Sequence, residues 1–253
     1  MNKIQQIFKN RSEKVIPFLT AGYPKLNDTV KMVLSAEKAG ADMVEIGMPF
    51  SDPVADGPVI QEASQIALKN GVTINWILNT VHEIRTHSEI PLVLMGYINP
   101  ILKFGVEKFI SECKNIGVDG LIIPDLPSEE SYKFSKLCNL NNISFIMLVA
   151  PNTSNDRIKS ISKIAKDLIY CVSILGITGS NTDYKNLEQY LKRVEESSLC
   201  PFVVGFGIST KDDVKDINEL SHGAVIGSAI IKKINDNEQP HKTVFNYIKG
   251  LKN

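Results

Sequence analysis

Two carboxylates, Glu45 and Asp56, lie eleven residues apart in the stretch 42–58, Asp-Met-Val-Glu-Ile-Gly-Met-Pro-Phe-Ser-Asp-Pro-Val-Ala-Asp-Gly-Pro, and their surroundings differ. Glu45 falls in the short apolar run 43–46, of strand character, where a charged side chain is expensive to bury unless something compensates. Asp56 comes after Pro49 and Pro53, which together with Gly47 and Gly57 fix a loop unable to continue as strand or helix. Such a loop can fold back over the strand end and return Asp56 towards Glu45. Two carboxyls whose environments push their pKa values apart can divide acid and base work, one holding a proton near neutrality and the other staying ionised. A strand glutamate can also be half-exposed or salt-bridged, and Asp-Gly and Asp-Pro are ordinary turn pairs. This stretch alone therefore leaves a structural reading open.

A second chemistry is carried by glycines. Gly176-Ile177-Thr178-Gly179, Gly205-Phe206-Gly207-Ile208-Ser209 and Ile226-Gly227-Ser228-Ala229 each follow an apolar run. Glycine lets backbone N–H groups approach an anion, and a helix starting at Ser228 would add unpaired N–H groups and the positive end of its dipole. Any one such stretch can be a tight turn; three in succession favour a phosphate site. With both carboxylates on the same face, the substrate is a small phosphorylated molecule spanning that face.

Elements able to position these groups alternate along the chain. Strands are expected at 15–20, 43–47, 91–97, 120–123, 144–149, 168–173, 201–204 and 224–226, with helical patterns between them. Helix 28–38 stops at Ala39-Gly40, a long helical region at 60–87 breaks at Asn70-Gly71, and a third helix containing 106–113 ends near 115–117. Ala39-Gly40-Ala41-Asp42 and Ile116-Gly117-Val118-Asp119 repeat one theme, a glycine closing a helix before a strand opens. Ile4, Ile7 and Phe8 have helical spacing, which predicts a short amphipathic helix plugging one end of a barrel. A doubly wound sheet gives the same alternation, but no Gly-x-Gly-x-x-Gly opens the first unit and the glycines gather after strands six to eight. Both points favour an α/β fold of (β/α)8 TIM-barrel type, one domain over 1–253.

At 253 residues, 43% of them hydrophobic, the chain has the length and core of such a barrel. Twenty-eight basic residues balance 28 acidic ones, which leaves no global field to gather nucleic acid or anionic membrane. Cys113, Cys138, Cys171 and Cys200 are scattered without metal-ligand spacing, as expected of core thiols in a reducing compartment. The start of the chain has no signal-peptide pattern and no apolar run reaches the ~18 residues of a membrane span. A cytoplasmic protein is expected.

Pro17-Phe18-Leu19-Thr20-Ala21-Gly22-Tyr23-Pro24, the run from Glu45 to Pro58, Pro124-Asp125-Leu126-Pro127, Gly205-Phe206-Gly207-Ile208 and Gly227-Ser228-Ala229 together resemble the tryptophan synthase α-subunit family over essentially the whole chain. The run 45–58 is highly specific, because its order of Glu, Asp and Asp is not demanded by a barrel. The resemblance implies cleavage of indole-3-glycerol phosphate to indole and glyceraldehyde 3-phosphate, with no cofactor in this chain. It also implies a pyridoxal-phosphate β subunit as partner, in a complex of two α and two β chains. It gives Glu45 the acid/base role towards indole C3 and the glycerol hydroxyl, and Asp56 the indole N–H. Phe18 and Tyr170 match indole- and glycerol-lining positions and Thr178 a lid residue; Gly179, Gly207, Gly227 and Ser228 match phosphate binders.

The apolar composition of the loop adds a partner interface at Met48, Pro49, Phe50, Asp52 and Pro53. The lid departs from the family: Ser173-Ile174-Leu175-Gly176-Ile177-Thr178-Gly179 carries Ile174 where an arginine is common, so lid ordering is expected to be weaker or differently coupled to the partner. Three rivals stand beside this reading: a free-standing indole-releasing lyase, a non-catalytic phosphate-binding regulatory subunit, and another phosphate barrel of the same pathway. The last of these lack the Pro-Phe-Ser-Asp-Pro loop.

Overall fold

The computed structural model describes residues 1–172, 181–205, 207–235 and 237–252. It begins with α1 (Lys3–Ile7), β1 (Val15–Thr20), α2 (Thr29–Lys38), β2 (Val44–Gly47), α3 (Pro58–Lys69), α4 (Ile74–Arg85) and β3 (Leu92–Met95). The chain continues through α5 (Ile98–Phe104), α6 (Val106–Ile116), β4 (Gly120–Ile122), α7 (Tyr132–Leu140), β5 (Ser144–Val149), α8 (Asn155–Ala165) and β6 (Ile169–Val172). It closes with α9 (Asn181–Ser197), β7 (Phe202–Gly205), α10 (Lys211–Leu220), β8 (Ala224–Ile226), α11 (Ser228–Asn235) and α12 (Pro240–Lys252). The eight strands are parallel and close in sequence order, β8 pairing with β1 through Ile16 opposite Val225, so the fold is a (β/α)8 barrel. Among the described residues no helix is long and apolar enough to cross a membrane.

Alternation along each strand sorts residues into two cores. Ile16, Phe18, Met43, Val93, Met95, Ile122, Ile146, Tyr170, Val203 and Val225 fill the lumen, while Val15, Leu19, Val44, Ile46, Leu92 and Leu94 face the helices. Large lumen residues are admitted by missing side chains beside them. A Cβ on Gly47 would meet the Phe18 ring at 2.3 Å, and one on Gly205 would meet the Tyr170 hydroxyl at 1.8 Å. At the N-terminal mouth Ile4 of α1 takes the space left by Gly120, where a Cβ would come within 2.7 Å of Ile4 Cδ1. The expected plug is therefore present, and Asn2, which caps α1, also donates to Ser144 Oγ and Asp167 Oδ2.

The repeated aspartates are ties across this mouth. Asp42 Oδ2 accepts from Val15 N–H at 2.8 Å and pairs with Lys252, and Asp119 Oδ2 accepts from Leu92 N–H at 2.9 Å and pairs with Arg85. Each carboxylate thus satisfies the first amide of the preceding odd strand. The break between α3 and α4 falls where expected, with Gly71 at φ +92°. The sequence reading does not anticipate α5. It is seven residues long and carries Asn99-Pro100 in its first turn, where proline costs no hydrogen bond but reads as a loop.

Candidate active site

The C-terminal ends of the strands surround a cleft of about 240 Å³ whose wall includes Phe18, Asp56, Tyr170, Gly207, Gly227 and Ser228. Five of the residues singled out from sequence, with Phe18 of β1 as a sixth, thus share one cavity although they come from five different βα units. Glu45 is the group beneath it. Its place in β2 opposite Phe18, between Met43 and Gly47, turns it into the lumen, where it is 1% exposed. Neither carboxyl oxygen has a hydrogen-bond partner among the described residues. An ionised carboxylate cannot be held so cheaply, and burial pushes the Glu45 pKa from 4.5 up to about 8. At neutral pH the group therefore carries a proton. Tyr170 lies within the reach of its charge, and burial first, then Glu45, raises the phenol and keeps it neutral.

Asp56 sits in the loop from β2 to α3, just ahead of Gly57 and Pro58, which start the helix. Its backbone carbonyl accepts from Gln61 Nε2 at 2.8 Å. Partial burial raises the carboxyl pKa, and a hydrogen bond from Tyr97 opposes that rise. Tyr97 also accepts from Ala55 N–H at 3.0 Å and stacks on Phe50 at 5.3 Å between centroids. Sequence reasoning passes over Tyr97, which looks like the end of a strand; with α5 unanticipated, the sequence carried no signal for it. The two carboxylates are thus set apart by environment, one proton-loaded in a dry lumen and one at the cleft wall.

At the other side of the cleft Gly227 follows β8 and Ser228 begins α11, whose Ile230 and Ile231 amides bond back to Gly227 O. The first amides of a helix have no intrahelical acceptor, and those of this turn face the cleft side where an anion would be bound. Gly207 has φ +79°, a conformation only glycine adopts without strain. Lys232, one helical turn beyond Ser228, lines the same wall and was not singled out from sequence; its i+4 spacing from Ser228 was the signal. Thr178, Gly179 and the rest of 173–180, including Ile174, lie outside the described residues, as does Phe206. Gly227 is the better test position. A Cβ there meets no described atom nearer than Phe18 Cβ at 3.7 Å, so the backbone admits a side chain at Gly227, whereas Gly207→Val is strained. We expect Gly227→Val to raise the dissociation constant for glyceraldehyde 3-phosphate at least tenfold, about 1.4 kcal/mol, by calorimetric titration; unchanged affinity would move the anion site elsewhere.

The loop does not present its apolar residues as the sequence suggests. Met48 is 8% exposed, its N–H bonded to Met95 O at 2.7 Å and its side chain filling the space over Gly96, so it extends the barrel wall and contributes to the surface only as the floor of a pocket shared with Pro49 and Phe50. Pro49, Phe50 and Pro53 are half-buried, Asp52 is exposed, and the prominent apolar side chain is Val54, at 81% exposure.

The family profile described as "Tryptophan synthase alpha chain" matches residues 4–252. A tryptophan synthase alpha chain of Petrotoga mobilis is 46% identical over 257 aligned positions, covering 100% of this chain and 99% of that protein. One from Flavobacterium psychrophilum is 44% identical, covering 94% and 95%. Among solved structures, the tryptophan synthase subunit alpha of Legionella pneumophila superposes with a TM-score of 0.92 at 32% identity, over 99% of this chain and 97% of that one. A chain of the tryptophan synthase complex of Pyrococcus furiosus superposes with a TM-score of 0.88 at 35% identity, over 94% and 97%. With a cleft that sets a proton-holding glutamate and an aspartate opposite a glycine-lined helix start, and with relatives matching from end to end, this chain belongs to the tryptophan synthase alpha chain family.

Proposed function

We propose that Glu45 and Asp56 divide the proton work of one cleavage reaction. As a tryptophan synthase alpha chain, the protein is a lyase that cleaves indole-3-glycerol phosphate to indole and glyceraldehyde 3-phosphate. To break the bond from indole C3 to the glycerol chain, C3 must gain a proton, the ring N–H must be polarised, and the adjoining hydroxyl must lose its proton. Glu45, loaded at neutral pH, gives its proton to C3; the resulting carboxylate takes the hydroxyl proton as the carbon–carbon bond breaks and the aldehyde forms. Asp56 accepts a hydrogen bond from the indole N–H while positive charge develops on the ring. The phosphate rests on the amides after β7 and β8, with Gly207, Gly227 and Ser228, and Phe18 and Tyr170 enclose the ring and glycerol chain. Gly179 and Thr178 belong to the same proposal through the family match alone.

The observation that carries this reading is the buried, partnerless Glu45 carboxyl with its pKa pushed up to about 8 beneath the cleft. The steps use proton transfers only, so they call for no cofactor in this chain; pyridoxal phosphate is expected in a β partner. The partner reading draws on the Pyrococcus furiosus protein, which is described as an a2b2 complex with mutual activation. We extend it to this chain as two α and two β subunits, docked through the rim of Pro49, Phe50, Asp52 and Pro53, with Val54 joining and Met48 behind. Residues 1–253 act as one domain, assigned to the cytoplasm on four free cysteines.

An indole-release assay with and without a β subunit tests both halves. We expect basal cleavage by the chain alone and activation on titration of the partner. Asp52→Ala, at an exposed carboxylate whose one recorded bond among the described residues is to Ser51 Oγ, should weaken that activation several-fold and spare the basal rate. If association and activation are unaltered, the docking surface lies elsewhere.

A further inference from the structure

In the motif Pro124-Asp125-Leu126-Pro127, which follows β4, Pro124 lines a small cavity with Asp56 and Tyr97, while Asp125 lines neither that cavity nor the main cleft. Asp125 is half-buried, and its Oδ1 accepts from the Ile98 N–H at 2.9 Å. That amide opens α5, whose N-cap residue, Tyr97, supplies no side-chain cap of its own. The bond therefore does for α5 what a cap residue normally does, from a neighbouring βα unit. It also fixes the peptide joining Ile98 to Tyr97. From Tyr97 the connection runs outward to the loop: the hydroxyl accepts from Ala55 N–H, next to Asp56, at 3.0 Å, Tyr97 and Asp56 line one small cavity where the hydroxyl opposes the rise of the Asp56 pKa, and the ring stacks on Phe50 at 5.3 Å. Among the described residues, the remaining hydrogen bonds of 49–57 are local, Ser51 to Asp52 and Gln61 or the first α3 amides to Asp56 and Gly57. Tyr97 is thus the tie between this loop and the next barrel unit, and Asp125 is what holds Tyr97.

We propose that Asp125 is a positioning residue for cleavage, holding Asp56 in place through the Ile98 amide and the Tyr97 side chain. The role belongs to its acceptor oxygen and not to its charge, because the atom it serves is a neutral backbone N–H. This inference rests on the reading of Asp56 as the group that receives the indole N–H. Misplacing such a group by about 1 Å can cost up to two orders of magnitude in rate without touching the phosphate site on the opposite wall.

The test is a set of full-length variants assayed for indole release with and without the β subunit, with calorimetric binding of glyceraldehyde 3-phosphate as a second readout. Asp125→Ala is expected to lower kcat about tenfold and leave the dissociation constant within about twofold. Asp125→Asn, which keeps an oxygen in the same place, should restore kcat to within about twofold of the parent. Tyr97→Phe should lose about as much as Asp125→Ala, and the double variant no more than the worse single one, because both cut one connection. Unchanged kcat in Asp125→Ala, losses that multiply in the double variant, failure of Asp125→Asn to rescue, or phosphate affinity falling in step with kcat would each overturn the proposal. Should Asp125→Ala not fold, Asp125→Ser, whose oxygen is one bond shorter, takes its place against Asp125→Asn. Asp56→Asn run in parallel separates the two readings. If it stays active, the role of Asp56 fails; if it is inactive while Asp125→Ala is not, only the positioning role fails.

Discussion

Replacing Glu45 by Gln is expected to lower kcat by about 10³-fold or more, while affinity for glyceraldehyde 3-phosphate stays within about twofold. The amide matches the carboxyl in shape but has no proton to give to C3 and cannot take one from the hydroxyl. The phosphate site, on amides after β7 and β8, does not involve it. The same substitution should change stability in a pH-dependent way. In the folded chain the Glu45 pKa is about 8 against 4.5 in water, so between those values the folded state holds a proton that the unfolded state has released. Stability contributed by that proton is full below about 4.5 and is lost as pH rises to about 8. Glu45→Gln removes this loss. Its thermal midpoint should therefore exceed the parent's at pH 8, by an amount worth on the order of 5 kcal/mol (the shift from 4.5 to about 8 at about 1.4 kcal/mol per unit), and the gap should shrink towards pH 4.5. A stable variant that turns over normally would remove Glu45 from the chemistry; a variant equally destabilised at both pH values would contradict the buried neutral acid.

Asp56→Asn is the second large effect. We expect kcat to fall roughly 10²-fold, since a neutral amide cannot stabilise positive charge developing on the indole ring. Its signature should differ from that of Glu45→Gln. Burial raises the Asp56 pKa as well, with Tyr97 opposing, so Asp56→Asn should also gain on the parent as pH rises, but by less than Glu45→Gln. Nearly full activity in Asp56→Asn would sink the assignment.

The barrel was legible because periodicity and punctuation agreed. Apolar runs of strand length recurred eight times, and Gly40, Gly71 and Gly117 each took the positive φ that their helix-ending positions required. The Gly-x-Asp theme was visible as a repeat, but its reason was not. Only the closed sheet shows that Asp42 and Asp119 serve amides of the preceding strand, 27 residues earlier in each case. Glu45 could be singled out because a carboxylate inside an apolar run is costly, a local conflict that marks function when the fold does not relieve it. What stayed hidden was cross-unit geometry. Tyr97 and Asp125 come from different βα units and meet only through α5, a helix whose Asn-Pro start reads as a loop. Met48 misled for the opposite reason: an apolar residue after a strand looks exposed until the vacant side of Gly96, a residue of another unit, is seen to receive it.

The dependence of kcat/KM on pH, measured on the parent chain with indole-3-glycerol phosphate, tests most directly whether Glu45 enters the reaction protonated. This quantity reports groups of the free enzyme. With the Glu45 carboxyl at about 8, the account predicts a plateau on the acid side of that value and a decline above it, about tenfold per pH unit. A profile that stays flat to about pH 10, or rises through that range, would contradict it.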